Sequence, residues 1–179
     1  MAPVAEQFDE VDEIAAAWQR ERPDLSVQPL HVLSRVSRLA GRLGVSRSAA
    51  FESHGLQRWE FDVLAALRRN GSPYELTPGE LARLTHVTSG TMTHRIRQLA
   101  KRTLVTRDPH PIDGRAALVS LTDAGKTTVD AAMADLLASE ERLLAALPDA
   151  DRDQLADLLR TLMLALAAEQ DEPSTGTAF

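Results

Sequence analysis

The sequence predicts a mainly α-helical protein with one short β-hairpin, and three observations support this fold class. Aromatic residues make up 4% of the 179 residues, whereas Ala, Leu, Arg and Glu dominate, a composition that favours helices. Apolar residues recur at three- and four-residue steps along most of the chain. The spacing becomes strand-like only at residues 104–106 and 116–121, on either side of a turn rich in Pro and Gly.

Two helices are predicted at the start of the chain. The first covers residues 11–22, where Ile14 and Trp18 share one face, and it ends before Pro23 because a residue preceding proline is pushed out of the helical conformation. Pro29 suits the first turn of a second, longer helix. The apolar stripe of this second helix consists of Leu30, Leu33, Val36, Leu39, Ala40 and Leu43.

Three shorter helices are predicted next. The third helix covers residues 56–69, and the Asn-Gly-Ser-Pro sequence at 70–73 stops it. A capping box at 77–80, with proline at the first helical position, opens the fourth. Thr88 or Ser89 caps the fifth. Two short helices joined so tightly are typical of a helix-turn-helix motif. The buried stripe of the fifth helix is Met92, Ile96 and Leu99.

The hairpin that follows the fifth helix is interpreted as a wing, with its turn at residues 109–114. Thr122 caps a long helix that ends near Leu147, and Pro148 separates it from a final helix. The predicted fold is therefore a winged helix-turn-helix with long N- and C-terminal dimerisation helices. The stripe of the final helix consists of Leu155, Leu158, Leu159, Leu162 and Leu166.

These elements divide the chain into four predicted parts. Residues 1–57 hold an extra N-terminal helix and the first dimerisation helix, and residues 58–121 form the winged helix-turn-helix region. Residues 122–170 form the C-terminal dimerisation helices, and residues 171–179 a disordered, polar tail.

Composition excludes several classes of function. The chain contains no cysteine, which excludes thiol redox sensing, disulfides and cysteine nucleophiles and fits a reducing compartment. Its apolar runs fall far short of the roughly 20 residues of a membrane span, and the first ten residues carry acids where a signal peptide carries bases. We therefore expect a cytoplasmic protein that uses no cofactor and contacts no membrane.

The net charge of -6 conceals an uneven distribution. Residues 1–30 hold two bases and seven acids, and residues 116–179 hold four bases and twelve acids. Residues 76–115, in contrast, hold seven bases and three acids. A basic centre between acidic ends predicts that the centre contacts nucleic acid and that the ends point away from it.

The face of the fifth helix opposite its apolar stripe is polar and basic, which suits a DNA major groove. Hydroxyls and backbone amides at the helix start can hold a phosphate. A solvated helix face is the ordinary alternative, but a basic hairpin follows directly and favours a two-groove arrangement. The predicted DNA-binding residues are Thr88, Ser89, Thr91, Thr93, His94, Arg97, Gln98, Lys101, Arg107 and Arg115.

The segment 87–125, VTSGTMTHRIRQLAKRTLVTRDPHPIDGRAALVSLTDAG, resembles the recognition helix and wing of MarR-type transcription regulators. The wing signature of that family, an aspartate and an arginine one residue apart, matches Asp113 and Arg115. The resemblance implies that Asp113 braces the wing and that Arg115 enters the minor groove. It also implies a homodimer whose recognition helices lie roughly 34 Å apart on a pseudo-palindromic operator.

Further residues resemble the urate-responsive, PecS-like branch of the family, which carries an added first helix. The resemblance rests on Trp18 in that helix, on WEFDVLAALRRN at 59–70 and on SGTMTHRIRQL at 89–99. It implies that a small anionic effector is bound and that DNA is then released; urate is the first expectation, and related purines or polycarboxylates are alternatives. The implied ligand-binding residues are Trp18, Asp62, Asn70 and Arg95.

Three rival interpretations remain. No nucleophile elbow, phosphate loop or HExxH spacing supports an enzyme. The five histidines are dispersed, which disfavours a metal sensor but leaves a surface zinc site open. A winged helix that binds proteins without sequence-specific DNA binding is the serious rival.

Overall fold

The computed structural model describes residues 8–109 and 117–171, with side chains as far as Glu169. The predicted order of helices and hairpin is confirmed in these ranges, and a third strand is added. The elements are α1 (Glu10–Glu21), α2 (Gln28–Glu52), α3 (Arg58–Arg69), β1 (Glu75–Leu76), α4 (Pro78–Leu84), α5 (Ser89–Lys101), β2 (Val105–Pro109), β3 (Ala117–Leu121), α6 (Asp123–Leu144) and α7 (Asp149–Asp171).

Several helix boundaries differ from the sequence prediction. Helix α2 continues past its predicted stripe to Glu52, which brings Phe51 into the core. Helix α3 begins at Arg58 instead of residue 56, because the Glu60 carboxylate accepts a hydrogen bond from the Gln57 N–H at 2.9 Å and fixes the helix start there. Helix α7 includes Asp171, the first residue of the predicted tail, and residues 172–179 lie outside the described residues.

The sheet is antiparallel, in the order β1-β3-β2. Strands β2 and β3 form the predicted hairpin, with Val105 opposite Leu121 and Pro109 opposite Ala117. Strand β1 was not predicted, because two residues are too few to show an alternating pattern. It adds Glu75 opposite Ser120 on the other edge of β3.

The chain divides into two compact units, one ending at Leu136 and one beginning at Leu137. The core of the first unit is formed where α3, α4 and α5 pack on the sheet, with contributions from α2 and the first half of α6. Helix α6 approaches the sheet closely at Gly125, where a Cβ would overlap the Leu104 carbonyl oxygen. The fully buried members of the core include Leu56, Leu64, Leu67, Leu81, Met92, Ile96, Leu99 and Val119.

Helix α1 packs on α2 through Val11 and Ala15, which are both buried. Ion pairs surround this contact: Arg35 bridges Asp9 and Asp12, and Arg38 pairs with Glu10. The hydrogen bond from Arg35 lowers the pKa of Asp9 from 3.8 to about 2. Helix α1 is therefore attached to α2 by a small apolar contact and a ring of exposed charge pairs.

Candidate nucleic-acid interface and effector site

The helix-turn-helix is formed by α4 and α5. The Thr77 and Glu80 side chains cap α4 as predicted, and the turn to α5 passes through His86 in the left-handed conformation. On α5 the stripe Met92, Ile96 and Leu99 is buried. Among the predicted DNA-binding side chains of α5, Gln98 is therefore half-buried and the others are exposed. The exposed side chains are Ser89, Thr91, Thr93, His94, Arg97 and Lys101.

The threonines at the start of α5 are engaged in the helix itself. The Thr88 hydroxyl accepts a hydrogen bond from the Thr91 N–H at 3.3 Å, and the two hydroxyl oxygens lie 2.9 Å apart. The Thr93 hydroxyl donates to the Ser89 carbonyl at 3.0 Å. These bonds fix the helix start, where the Thr88 hydroxyl satisfies one of the first-turn amides.

Arg107 on β2 lies near the recognition helix. Together with Arg97, Thr93 and Pro78 it lines a cavity of about 150 Å³ between α5 and the strand. Two predicted DNA-binding arginines from different elements therefore share one surface. Asp113 and Arg115, the predicted wing brace and minor-groove residue, lie outside the described residues.

An ion pair between a buried carboxylate and a partly exposed arginine holds the end of α5 against α3. Arg102 donates from Nη1 to both carboxylate oxygens of Glu60, each at 2.6 Å, and from Nη2 to the Gly55 carbonyl at 2.9 Å. The Glu60 side chain is 4% exposed, and Arg102 is 41% exposed. Arg102 therefore supplies the charge that compensates the buried carboxylate, and the pair fixes the end of the recognition helix on the scaffold.

Two of the four predicted effector-binding residues line one cavity. Asp62 of α3 and Arg95 of α5 both face a cavity of about 490 Å³, which also touches the end of α2 through Ser48 and Glu52. Within the described ranges, neither Asp62 nor Arg95 has a hydrogen bond or an ion pair. An acceptor and a cation that share a cavity without pairing leave room for a ligand between them.

The other two predicted effector-binding residues lie elsewhere. Trp18 is on α1, is 53% exposed and does not line this cavity. The Asn70 amide donates to the Glu75 carbonyl at 2.8 Å, which ties the end of α3 to β1. The cavity as described therefore contains Asp62 and Arg95 and lacks Trp18 and Asn70.

Trp59 is a cavity residue that the sequence prediction missed. Its ring lies beneath Arg95, whose Cζ is 5.5 Å from the ring centroid. It stands three positions before Asp62, so the two project from the same side of α3. The spacing is visible in the WEFD segment, whereas the resemblance to the PecS-like branch points to Trp18.

A second cavity of about 500 Å³ lies between the start of α3 and α5. Trp59 and Arg95 line both cavities and stand where the two adjoin. The second cavity reaches the recognition helix at Thr91, His94 and Gln98, three of the predicted DNA-binding residues. One arginine therefore stands between the cavity that Asp62 lines and the DNA-facing surface.

A further cavity of about 300 Å³ lies between α2, α3 and α6. Its walls combine apolar side chains with several arginines, and Asp62 is shared with the cavity that contains Arg95. Its lining includes Phe51, Phe61, Met133, Arg58, Arg68 and Arg69.

Among residues 8–109 and 117–171, no three histidine or acidic side chains are grouped as a metal ion would require. No helix in the same ranges is long and apolar enough to cross a membrane.

A helix-turn-helix whose second helix presents basic and hydroxyl side chains, followed by a small antiparallel sheet, defines a winged-helix DNA-binding regulator. Comparison with known proteins agrees. The MarR family matches residues 54–116. The regulator PecS from Dickeya dadantii is 30% identical over 153 residues, covering 86% of this chain and 92% of PecS. The chain belongs to the MarR family of transcription regulators, whose members are not enzymes.

Solved structures support the same fold. Sco5413, a MarR family regulator from Streptomyces coelicolor, superimposes with a TM-score of 0.64 at 24% identity, covering 80% of this chain and 98% of Sco5413. BpsR from Bordetella bronchiseptica, whose DNA binding is regulated by 6-hydroxynicotinic acid, has a TM-score of 0.56 at 26% identity. The match to BpsR covers 72% of this chain and 92% of that one.

Proposed function

We propose that the protein is a repressor that binds a pseudo-palindromic operator as a homodimer and is released by a small anionic effector such as urate. One observation carries the proposal: Arg95 belongs to the recognition helix, yet it lines a cavity with Asp62 of α3 and makes no hydrogen bond or ion pair with a described side chain. An anion at Arg95 acts directly on the helix that would read DNA.

The DNA-binding half of the proposal is supported by the exposed face of α5. His94, Arg97 and Lys101 are exposed on one side of a helix whose other side is buried. In the proposed complex these side chains contact base edges and phosphates in the major groove, and Arg115 of the wing enters the minor groove.

The homodimer is supported by apolar side chains that the single chain leaves exposed. Helix α7 has no buried side chain among its described residues, although leucines recur along it at three- and four-residue steps. Such a stripe needs a partner surface, and a two-fold dimer supplies one. The exposed members include Leu158, Leu162, Met163 and Leu166 on α7 and Leu33, Val36 and Leu39 on α2.

The effector would act by shifting a population. If the form with an anion at Arg95 holds α5 at a spacing that fits DNA poorly, effector and operator oppose each other's binding by the same factor. BpsR, whose DNA binding responds to a small planar anion, provides a precedent within the fold.

Two arginines on α5 test this division of roles. Arg95→Gln is expected to weaken urate binding and urate-driven DNA release while leaving operator affinity nearly unchanged. Arg97→Gln, two positions along the same helix, is the matched control and should weaken operator binding while leaving urate affinity unchanged. Calorimetry measures the urate affinity of each variant, and footprinting measures its operator affinity. Loss of urate binding in Arg97→Gln but not in Arg95→Gln would contradict the assignment.

The remaining predicted residues are tested in the same way. Replacing Trp18, Asp62 or Asn70 should weaken urate binding, and replacing Arg115 should weaken DNA binding alone. Footprinting should show two protected half-sites with centres about ten base pairs apart. A single protected half-site would contradict the dimeric arrangement.

A further inference from the structure

We propose that Trp59 is an effector-binding residue that selects planar aromatic anions: its indole packs against the effector ring while Arg95 pairs with the anionic group. This inference rests on the proposed effector response and adds a residue and a ligand class to it.

The position of Trp59 supports the proposal. Trp59, Asp62 and Arg95 line the same cavity, so an aromatic surface, an acceptor and a cation converge on one space. These three groups complement a flat ring that carries an acidic group and an N–H or O–H donor.

The indole ring is also held in place before a ligand arrives. Trp59 is half-buried and packs against the core, and its indole N–H donates to the Gln57 side-chain oxygen. A fixed aromatic wall loses little freedom on binding, which favours rigid flat ligands over flexible ones. Trp18, in contrast, is more than half exposed on α1, and its indole makes no hydrogen bond to any residue in 8–109 or 117–171.

Arg95 provides the anionic subsite. Its guanidinium lies over the Trp59 ring, with Cζ 5.5 Å from the centroid, and makes no hydrogen bond or ion pair to any described residue. The contact with the ring positions the arginine without using its N–H donors. Those donors remain available for a carboxylate or another planar anion in a bidentate arrangement.

The position of Trp59 between the two cavities also connects effector to DNA. The second cavity is lined by Trp59 and Arg95 together with Thr91, His94 and Gln98 of the recognition helix. An effector that draws Arg95 away from Trp59 changes the shape of the second cavity, which these side chains also line. Trp59 therefore contributes to coupling as well as to binding.

Three variants of the full-length protein test the proposal by calorimetry with urate. Trp59→Leu removes the aromatic ring and should weaken urate binding about tenfold. Trp59→Phe retains a ring and should retain most of the affinity. Trp18→Leu makes the same change at the other tryptophan and shows which of the two contributes more. Each variant is also measured for operator affinity without effector, which should remain within about twofold of the parent protein if α5 is intact.

Ligand selection is tested with three probes on the unaltered protein. Urate and 6-hydroxynicotinate are planar, and citrate is a flexible, non-planar polycarboxylate. The proposal predicts that a planar probe binds at least about tenfold more tightly than citrate. Citrate binding as tightly as both planar probes would overturn it.

A second readout leaves Trp59 unaltered. In the Trp18→Phe protein Trp59 is the sole tryptophan, and saturating urate should shorten its fluorescence lifetime, a quantity that urate absorption does not distort. An unchanged lifetime, or a Trp59→Leu protein with unaltered urate affinity, would overturn the role of Trp59. If urate does not release DNA from the parent protein, the proposed effector response fails instead, which separates the two outcomes.

Discussion

At the residue scale, the ion pair between Glu60 and Arg102 is the contact in which a buried charge depends on a compensating partner. Glu60 is a buried carboxylate, and Arg102 supplies two of its hydrogen bonds while also holding the Gly55 carbonyl. A buried charge whose partner is removed is left uncompensated. This pair therefore stabilises the fold and fixes the end of the recognition helix in one contact.

Arg102→Ala is expected to lower the free energy of unfolding by about 2 kcal/mol. This is less than the roughly 3–5 kcal/mol expected for a fully buried pair, because Arg102 is 41% exposed and water can reach the vacated site. Chemical denaturation measures the change. Arg160→Ala is the control, since its ion pair with Asp157 is exposed and should contribute under about 1 kcal/mol. Equal effects of the two substitutions would contradict the importance of the buried pair.

Individual side-chain positions follow from the sequence to different degrees. The exposed face of α5 follows from helical periodicity. The partner of Arg95 did not follow, because periodicity places a side chain on a face without saying what it meets. Likewise, Asn70 lies at the end of α3 as predicted, but its bond to Glu75 depends on a strand that the sequence does not reveal.

At the element scale, the helices of the helix-turn-helix were predictable because each carries local signals. Capping side chains at Thr77 and Thr88 mark the starts of α4 and α5, and the hairpin strands show a change of period. Gly125 is explained only by the structure, since its need for a small side chain arises from the Leu104 carbonyl oxygen. Long-range contacts of this kind leave no periodic signal in the sequence.

Helix α1 should detach from α2 at low pH. The pKa values of Asp9, Glu10 and Asp12 are lowered by hydrogen bonds from Arg35 and Arg38. A carboxyl whose pKa is lower in the folded state stabilises the fold above its ordinary pKa, near 4, and loses that contribution as the pH falls toward its folded pKa. For Asp9 the folded value is about 2. The attachment of α1 should therefore weaken between about pH 4 and pH 2.

Amide hydrogen exchange, expressed as protection relative to the unfolded chain, measures this attachment. Protection of α1 should fall more between pH 5 and pH 3 than protection of α3. Arg35→Gln provides the comparison, because it should show weak protection of α1 at both pH values. Protection of α1 that is the same in both proteins would contradict a role for these ion pairs.

At the scale of the whole molecule, the distribution of apolar side chains suggests how the proposed regulator assembles. The core of the first unit is well buried, whereas leucines on α7 and on α2 remain exposed. The sequence predicted both stripes from their periodicity, and the resemblance to MarR-type regulators implied a second copy of the chain as their partner. In the proposed homodimer, a second copy of the chain covers these stripes, and two recognition helices lie on one operator.

Leu158→Asp is expected to convert the dimer into a monomer, because a charge would be buried in the interface. Operator binding should weaken with it, since each monomer reads one half-site. Leu164→Asp makes the same substitution on the side of α7 opposite this stripe, where the side chain is also exposed, and should leave the dimer intact. Sedimentation velocity measures both. A Leu158→Asp protein that sediments as the parent does would exclude this stripe from the interface.

The central claim is that effector and DNA compete for the state of one recognition helix. It is tested most directly by fluorescence anisotropy of a labelled duplex from upstream of the protein's own gene, with excess nonspecific competitor and increasing urate. We expect competitor-resistant binding that weakens steeply with salt, as phosphate contacts require, and a return to the anisotropy of free DNA as urate is added. Binding that urate leaves unchanged would contradict the proposed effector, and absence of competitor-resistant binding at low salt would favour a protein-interaction module.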